Sequence, residues 1–275
     1  MSDTRPEGLQ NIKHIVAVAS GKGGVGKSTT TVNLALAMAQ AGFKVGILDA
    51  DIYGPSQGLM LGIEEGTQPE TMEEKWFVPI STQGISVMSM AFLIDANAPM
   101  VWRGPMAAGA LQQMLLQTKW GTLDYLFVDM PPGTGDIQLT LCQKAQVSGT
   151  VIVTTPQDLA LLDARKGIEM FKKVNVPVLG IVENMSTHVC SQCNHEEAIF
   201  GEGGGASLAK QYGTELLASL PLSMTIRQQV DSGKPTVVAA PESAATHTYK
   251  QLAHAVVEKL EGVSHAMPSI SIDED

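Results

Sequence analysis

Cysteine, basic charge and long apolar runs are all scarce in this 275-residue chain. Three cysteines cannot form a disulfide framework at this size, and in a reducing compartment a close pair reads as metal-binding or redox. Lys and Arg number 18 against 28 Asp and Glu, a net charge of −10. Contacts to a phosphate backbone need clustered cations, so that balance disfavours a nucleic-acid surface. No stretch has the length of a membrane-spanning helix, and residues 1–13 are polar without an apolar segment, so neither insertion nor secretion is expected and the expected compartment is the cytoplasm. Internal repeats and low-complexity tracts are also missing. What remains is a chain with 44% hydrophobic residues, enough for one substantial core and one large α/β domain.

Residues 21–29 read Gly-Lys-Gly-Gly-Val-Gly-Lys-Ser-Thr. The phosphate-loop pattern G-x-x-x-x-G-K-[ST] is filled by Gly21, Gly26, Lys27 and Ser28, with Lys22, Gly23, Gly24 and Val25 between them and Thr29 after. Glycines let several backbone N–H groups face one anion. Lys27 is placed to reach the β- and γ-phosphates, the Ser28 hydroxyl to take a Mg²⁺ position, and the following helix to direct its positive end at the phosphates. The context fits, with an apolar, β-branched run over 14–20 and an Ala/Leu-rich helical run over 29–40. The second lysine, Lys22, points away from kinases and ordinary motor ATPases.

Apolar strand-like runs then alternate with helical ones, as a mostly parallel sheet with crossover helices requires. Strands are predicted over 45–49, 85–91, 125–129, 151–155 and 178–183, and helices over 106–118, 159–174, 206–212 and 245–260. Residues 64–79, acidic and broken by Gly and Pro, read as an exposed excursion. Met88, Met90, Met106 and Met114 read as core filling. The expected organisation is a flexible segment over 1–12, a single P-loop ATPase domain over 13–261 with a cysteine loop near 187–196, and an acidic, disordered tail over 262–275.

Ligands of open parallel sheets collect at the carboxyl ends of strands, and two of these ends are acidic: Asp49-Ala50-Asp51, and Asp129 leading Met-Pro-Pro-Gly-Thr-Gly-Asp136. An acid there can hold Mg²⁺ directly or through water, and a second can orient the water that attacks the γ-phosphate. Asp129, after the run Tyr-Leu-Phe-Val, is the better metal-side candidate. Cys190-Ser-Gln-Cys193 places two thiols about one turn apart, where both sulfurs can face one metal centre. A redox pair, a zinc half-site flanked by His188 and His195, a zinc bridging two subunits and two ordinary thiols stay open beside an iron-sulfur ligand pair. Cys142 reads as a small buried apolar residue.

These residues carry a family resemblance. The Lys22-bearing loop resembles that of the MinD, ParA and nitrogenase iron-protein class, whose members work as nucleotide-sandwich dimers with the matching lysine crossing to the partner's phosphates. The strings Asp49-Ala-Asp-Ile-Tyr-Gly-Pro-Ser56, Trp102-Arg-Gly-Pro105, Asp129 to Asp136, Thr154-Thr-Pro-Gln-Asp158 and Glu183-Asn-Met-Ser186, with Cys190 and Cys193, resemble the Mrp/ApbC family of iron-sulfur cluster carrier ATPases. The match runs from about residue 12 to 260. It implies a P-loop NTPase fold of seven or eight mostly parallel strands with helices on both faces. It also implies Asp51 beside the attacking water, Asp129 at the metal side and Asn184 at the adenine.

The expected cofactors are ATP, Mg²⁺ and a 4Fe-4S cluster. Such a cluster wants four thiolates and one chain offers two, so a homodimer sharing the cluster is expected. Its other partners are a cluster donor or scaffold and apo iron-sulfur proteins as acceptors, with neither nucleic acid nor membrane. Two departures stand out. Many bacterial relatives carry a small domain ahead of the ATPase core, and Ser191 and Asn194 replace the Pro and Gly common around the cysteines. The competing expectation is a MinD- or ParA-like positioning ATPase with a structural zinc.

Overall fold

The computed structural model describes residues 5–73, 75–93, 104–190, 192–193 and 195–265; Trp102, Arg103, Ser191, Asn194 and the last ten residues lie outside them. Its centre is an eight-stranded sheet. In chain order the strands are β1 (Ile12–Ala19), β2 (Val45–Asp49), β3 (Ile80–Thr82), β4 (Ile85–Ser89), β5 (Leu123–Asp129), β6 (Gly149–Thr154), β7 (Val178–Glu183) and β8 (Leu216–Ser219). Their spatial order is β8-β7-β6-β1-β5-β2-β4-β3. All neighbours are parallel except β3, a short antiparallel edge on β4. The inner strands are continuous Val/Ile/Leu/Phe runs because both faces are covered: β2 and β6 are buried at every position.

The helices are α1 (Lys27–Gln40), α2 (Gln57–Met60), α3 (Gly104–Leu116), α4 (Asp136–Ala145), α5 (Asp158–Lys173), α6 (Gly204–Tyr212), α7 (Met224–Asp231), α8 (Thr236–Ala239) and α9 (Ala244–His265). Helices α1, α8 and α9 pack together on one face, while α3 meets α4 and α5 meets α6 on the other. The chain leaves β1 through α1 towards β2 on one side, and leaves β5 through α4 towards β6 on the opposite side. That divergence opens a crevice at the carboxyl ends of β1 and β5, where ligands of such sheets collect. Gly42, at φ 95°, ends the first crossover in the left-handed region that a side chain would resist.

Four expectations need correction. The chain ahead of β1 is docked: Glu7–Leu9 forms a 3-10 turn with Leu9 fully buried, and β1 starts at Ile12, where an apolar side chain finds the core. The excursion over 64–79 is anchored too. Thr71–Met72 pairs with Trp76–Phe77, Trp76 is buried, and the Phe77 N–H donates to the Gln117 carbonyl at 2.8 Å; a Trp and a Phe outweigh the surrounding acid and proline. Met106 is 54% exposed, unlike the fully buried Met88, Met90 and Met114, because it lies in the first turn of α3 at the rim of the crevice. Helix α9 also runs to His265, past the expected end of the ordered core.

Phe127 sits in β5, between β1 and β2, with no exposed surface. Phe127→Ala is expected to cost about 3–5 kcal/mol, measured as a lower urea midpoint at unchanged slope; a loss near zero would contradict this placement of the core.

Candidate functional site

The loop between β1 and α1 wraps the crevice floor. Gly24 and Gly26 hold φ of 80° and 83°, which aims successive N–H groups inward. At Gly26 a Cβ would stand 2.1 Å from the Asn184 amide nitrogen, and at Gly21 a Cβ would stand 2.1 Å from the backbone of Asp163 in α5. Both positions therefore need glycine for close approach as well as for turning. Val25 is buried and its carbonyl accepts from Asn184 Nδ2 at 2.9 Å, so the loop is tied to the end of β7. Ser28 and Thr29 form the first turn of α1, which carries no acidic residue. The helix end thus offers its N–H groups and positive dipole with no carboxylate of its own turn competing. Gly23 and Lys22 lie on the open side, and the half-buried Lys22 makes no ion pair among the described residues.

Three carboxyl groups surround one ammonium. Lys27 Nζ is 2.6 Å from Asp129 Oδ1, 3.2 Å from Ser28 Oγ and 3.7 Å from Asp51 Oδ2. Asp129, wholly buried, also accepts from Thr31 Oγ1 at 3.1 Å and Gln57 Nε2 at 2.9 Å. Asp49 stands beside it in register. Its Oδ2 accepts from the backbone of Ser56 and Gln57 and from Ser89 Oγ, each at 3.0 Å. Burial, and then the charge of Asp129, push the Asp49 carboxyl up to about 7. Burial also raises Asp51, with Lys27 opposing. Ser28, Asp51 and Asp129 make an all-oxygen set suited to a hard divalent ion held partly through water.

Beside this cluster lies a cavity of about 540 Å³ lined by Gly26, Thr29, Asn184, His188, Ile199 and the loop from Pro221 to Met224. Asn184 therefore stands between the phosphate loop and that cavity. The cavity's far wall leads into the cysteines. His188–Val189 pairs with Glu196–Glu197, and the Cys190 N–H donates to the His195 carbonyl at 2.9 Å, so the Cys190/Cys193 pair occupies the turn of a hairpin. Cys193 is exposed and Cys190 partly so. Backbone N–H groups of Gln192 and Cys193, with the Cys193 thiol, hold the Cys190 thiol below its ordinary range. His188 Nδ1 lies 3.1 Å from the Leu222 carbonyl. Among the described residues no group of three or more His, Cys, Asp or Glu side chains converges as a metal set. Cys142 is buried and its thiol is pushed up to about 12 by burial, in keeping with a packing role.

Residues 11–257 match the family model described as the NUBPL iron-transfer P-loop NTPase of the ParA group. The chain belongs to this family. An iron-sulfur cluster carrier protein of Pseudomonas fragi is 69% identical over 246 residues, covering 90% of this chain and 86% of that one. The iron-sulfur cluster carrier protein of Escherichia coli K12 is 56% identical, over 95% of this chain and 70% of its own. The iron-sulfur cluster transfer protein NUBPL of Mus musculus is 48% identical, over 92% and 79%. Among solved structures, a nucleotide-binding protein of Archaeoglobus fulgidus in complex with ADP superposes with a TM-score of 0.75 at 40% identity, covering 88% of this chain and 93% of that one. The cell-division ATPase MinD of Pyrococcus furiosus, at 22% identity and a TM-score of 0.65 over 90% and 99% of the two chains, shares the fold.

Sequence reasoning placed Lys27, Ser28, Asp51 and Asp129 as candidates, and the structure brings them together. It overlooked three residues that hold this family's nucleotide crevice in shape here: Thr31 and Gln57 on Asp129, and Ser89 on Asp49. The signal for Gln57 was a polar residue directly after Gly-Pro-Ser and before the apolar stretch Gly-Leu-Met-Leu.

The raised Asp49 carboxyl gives a pH test in nucleotide-free protein. Its folded value, about 7, lies above its ordinary 3.8, so its contribution to stability is complete below about pH 4 and is lost as pH rises through about 7. Wild-type protein is expected to lose more stability between pH 5 and pH 8 than Asp49→Asn, read from urea midpoints; equal losses would contradict a buried, protonated Asp49.

Proposed function

We propose that the chain is an ATP-hydrolysing carrier of iron-sulfur clusters, built as a single ATPase domain over residues 13–261. In this reading it holds a 4Fe-4S cluster as cargo between the Cys190/Cys193 pairs of two copies and passes it to apo-proteins. The observation that carries the reading is the placement of two accessible thiols, one of them activated, on a hairpin sharing its wall with the nucleotide crevice. Two thiols are half a cluster's ligand set, and no third ligand converges on them among the described residues. Family membership and relatives named as cluster carriers supply the cargo class.

The hydrolytic half follows from the crevice. ATP enters with its phosphates on the N–H groups of residues 23–29 and its adenine in the cavity beside Asn184. Lys27 leaves Asp129 for the β- and γ-phosphates, exchanging one anion for another without losing a charge partner. Ser28, Asp51 and Asp129 would hold Mg²⁺, directly or through water, and the ion would supply positive charge against the phosphates that Lys27 alone cannot. Asp51, the most exposed of the three carboxyl groups, orients a water whose oxygen forms a bond to the γ-phosphorus. The bond from that phosphorus to the β-γ bridging oxygen breaks, ADP leaves with the electron pair, and of the water's two protons one stays on the new P–O–H of inorganic phosphate while the other passes to a second phosphate oxygen. Lys22, with no ion pair of its own among the described residues, reaches the partner copy's phosphates. Nucleotide state and the shared cluster are then coupled through the dimer. No helix among the described residues is long and apolar enough to cross a membrane, and the proposed compartment is the cytoplasm.

Anaerobic reconstitution with iron and sulfide is expected to give cluster absorption at one 4Fe-4S per two chains, transferable to an apo-protein. Cys190→Ser with Cys193→Ser is expected to abolish it; absorption that survives both changes, or a colourless protein holding stoichiometric zinc, would overturn the assignment. For the dimer, Lys22→Ala is expected to retain ATP binding within a few-fold yet lose ATP-dependent dimerisation in light scattering, together with about 1,000-fold or more of turnover, the scale on which a transition-state cation supplied from a partner acts. A variant that dimerises and hydrolyses normally would remove Lys22 from the mechanism.

A further inference from the structure

Gln57 has more hydrogen bonds to the acidic cluster than any role so far assigned to it requires. It is the first residue of α2, has no exposed surface, and joins three parts of the crevice. Its backbone N–H donates to Asp49 Oδ2 at 3.0 Å. Its side-chain Nε2 donates to the Ser28 carbonyl at 3.1 Å and to Asp129 Oδ2 at 2.9 Å. Both side-chain partners are acceptors, so the amide orientation is fixed: a flip would set Oε1 against a carbonyl and a carboxylate. The consequence is that Oε1, buried beside the first turn of α1 and Asp129, has no hydrogen-bond partner. An unpaired buried acceptor is costly and marks a position that a donor fills in some state of the molecule.

We propose that Gln57 is the positioning residue for the metal side of the nucleotide site, an inference that rests on reading the crevice as a Mg²⁺-nucleotide site. When Lys27 departs for the phosphates, Asp129 loses the one cationic partner it has among the described residues. Thr31 on Oδ1 and Gln57 on Oδ2 are what remain to orient the carboxylate. The unpaired Oε1 supplies an acceptor for one water of the metal's shell, since Mg²⁺ keeps several of them and each must donate outward. The backbone bond to Asp49 extends the same clasp to the loop that carries Asp51, because Asp49 Oδ1 also receives the Asp51 N–H at 3.3 Å. Metal binding and the placement of Asp51 are therefore linked through one residue, its side chain on Asp129 and its backbone N–H on Asp49.

The test compares wild type with Gln57→Leu, which keeps bulk and removes the amide, and Gln57→Glu, which keeps shape and replaces the donor by an acceptor. A fluorescent ADP analogue is titrated against each protein in EDTA and in Mg²⁺, and ATP turnover is measured in parallel. Both variants are expected to keep metal-free ADP affinity within about twofold and to lose about tenfold of the gain that Mg²⁺ confers, the scale of one hydrogen bond to a charged group. ATP kcat is expected to fall with a rise in the Mg²⁺ concentration needed for half-maximal rate. A full Mg²⁺ gain in either variant overturns the proposal, as does an equal loss of affinity in both buffers, which would make Gln57 a packing residue of the phosphate loop. Wild-type protein that binds ADP in neither buffer would instead defeat the nucleotide-site reading itself.

Discussion

The contact between Lys27 and Asp129 organises the crevice. Its two ends come from different crossovers, one from the loop after β1 and one from the end of β5, and the 2.6 Å separation holds the point where the chain diverges. Both partners are buried, so either charge alone would carry a large desolvation cost. The structure meets that cost with a dense set of donors: Thr31, Gln57 and the ammonium on Asp129, and Ser89 with three backbone N–H groups on Asp49. Even so, three carboxyl groups around one cation leave a deficit of positive charge. Among the three, the carboxyl with no cation at ion-pair distance, Asp49, is the one whose proton is held up to about pH 7. A site in this state is short of cations and rich in oxygen ligands, and the proposed magnesium-nucleotide complex would reverse that imbalance while giving Lys27 a new anion.

A second link ties the crevice to the cysteines. Asn184 grips the Val25 carbonyl, and only six positions later the same strand exit delivers Cys190. Between them the backbone is fixed to the neighbouring loop: the Ser186 N–H donates to the Leu220 carbonyl at 2.9 Å and the Leu222 N–H to the Thr187 carbonyl at 2.8 Å. Met185 takes a φ of 58° to make this path, a conformation a non-glycine residue adopts only where its surroundings demand it. A short, doubly tethered connection transmits displacement better than a long loop would. The Asn184 side of the cavity and the thiol hairpin are consequently parts of one wall.

What the sequence made legible follows the locality of each feature. The phosphate loop is contiguous, and its glycines are required by backbone geometry, so Gly21 to Thr29 could be read directly. Strands β2 and β7 were read to the residue because buried parallel strands are uninterrupted apolar runs. Strands β3 and β8 were missed: Ile-Ser-Thr and Leu-Leu-Ala-Ser are too short to show a period, and they become strands through pairing with β4 and β7. Trp76 and Leu9 were missed for a related reason, since acid, proline and chain position dominate their windows while burial is decided by distant partners. Thr31, Gln57 and Ser89 belong to the same class. Nothing in a Thr, Gln or Ser codon-by-codon reading says that its side chain will meet an aspartate 98, 72 or 40 positions away.

Two shortages in the single chain point in one direction. The hairpin turn carries two thiols with no convergent third ligand among the described residues, and the phosphate loop carries a lysine with no ion pair there. Each is ordinary alone: exposed lysines are solvated and lone thiol pairs are common. Their positions make them harder to dismiss together, because both lie on open sides of elements joined through the nucleotide cavity, where a second copy related by two-fold symmetry would bring a matching pair of each. In the proposed dimer one rotation axis therefore completes two deficient sites at once. A cluster held at such an axis is shared by two surfaces and enclosed by neither. Its release then depends on how the subunits sit, which is the quantity that a lysine reaching across to the partner's phosphates is placed to control.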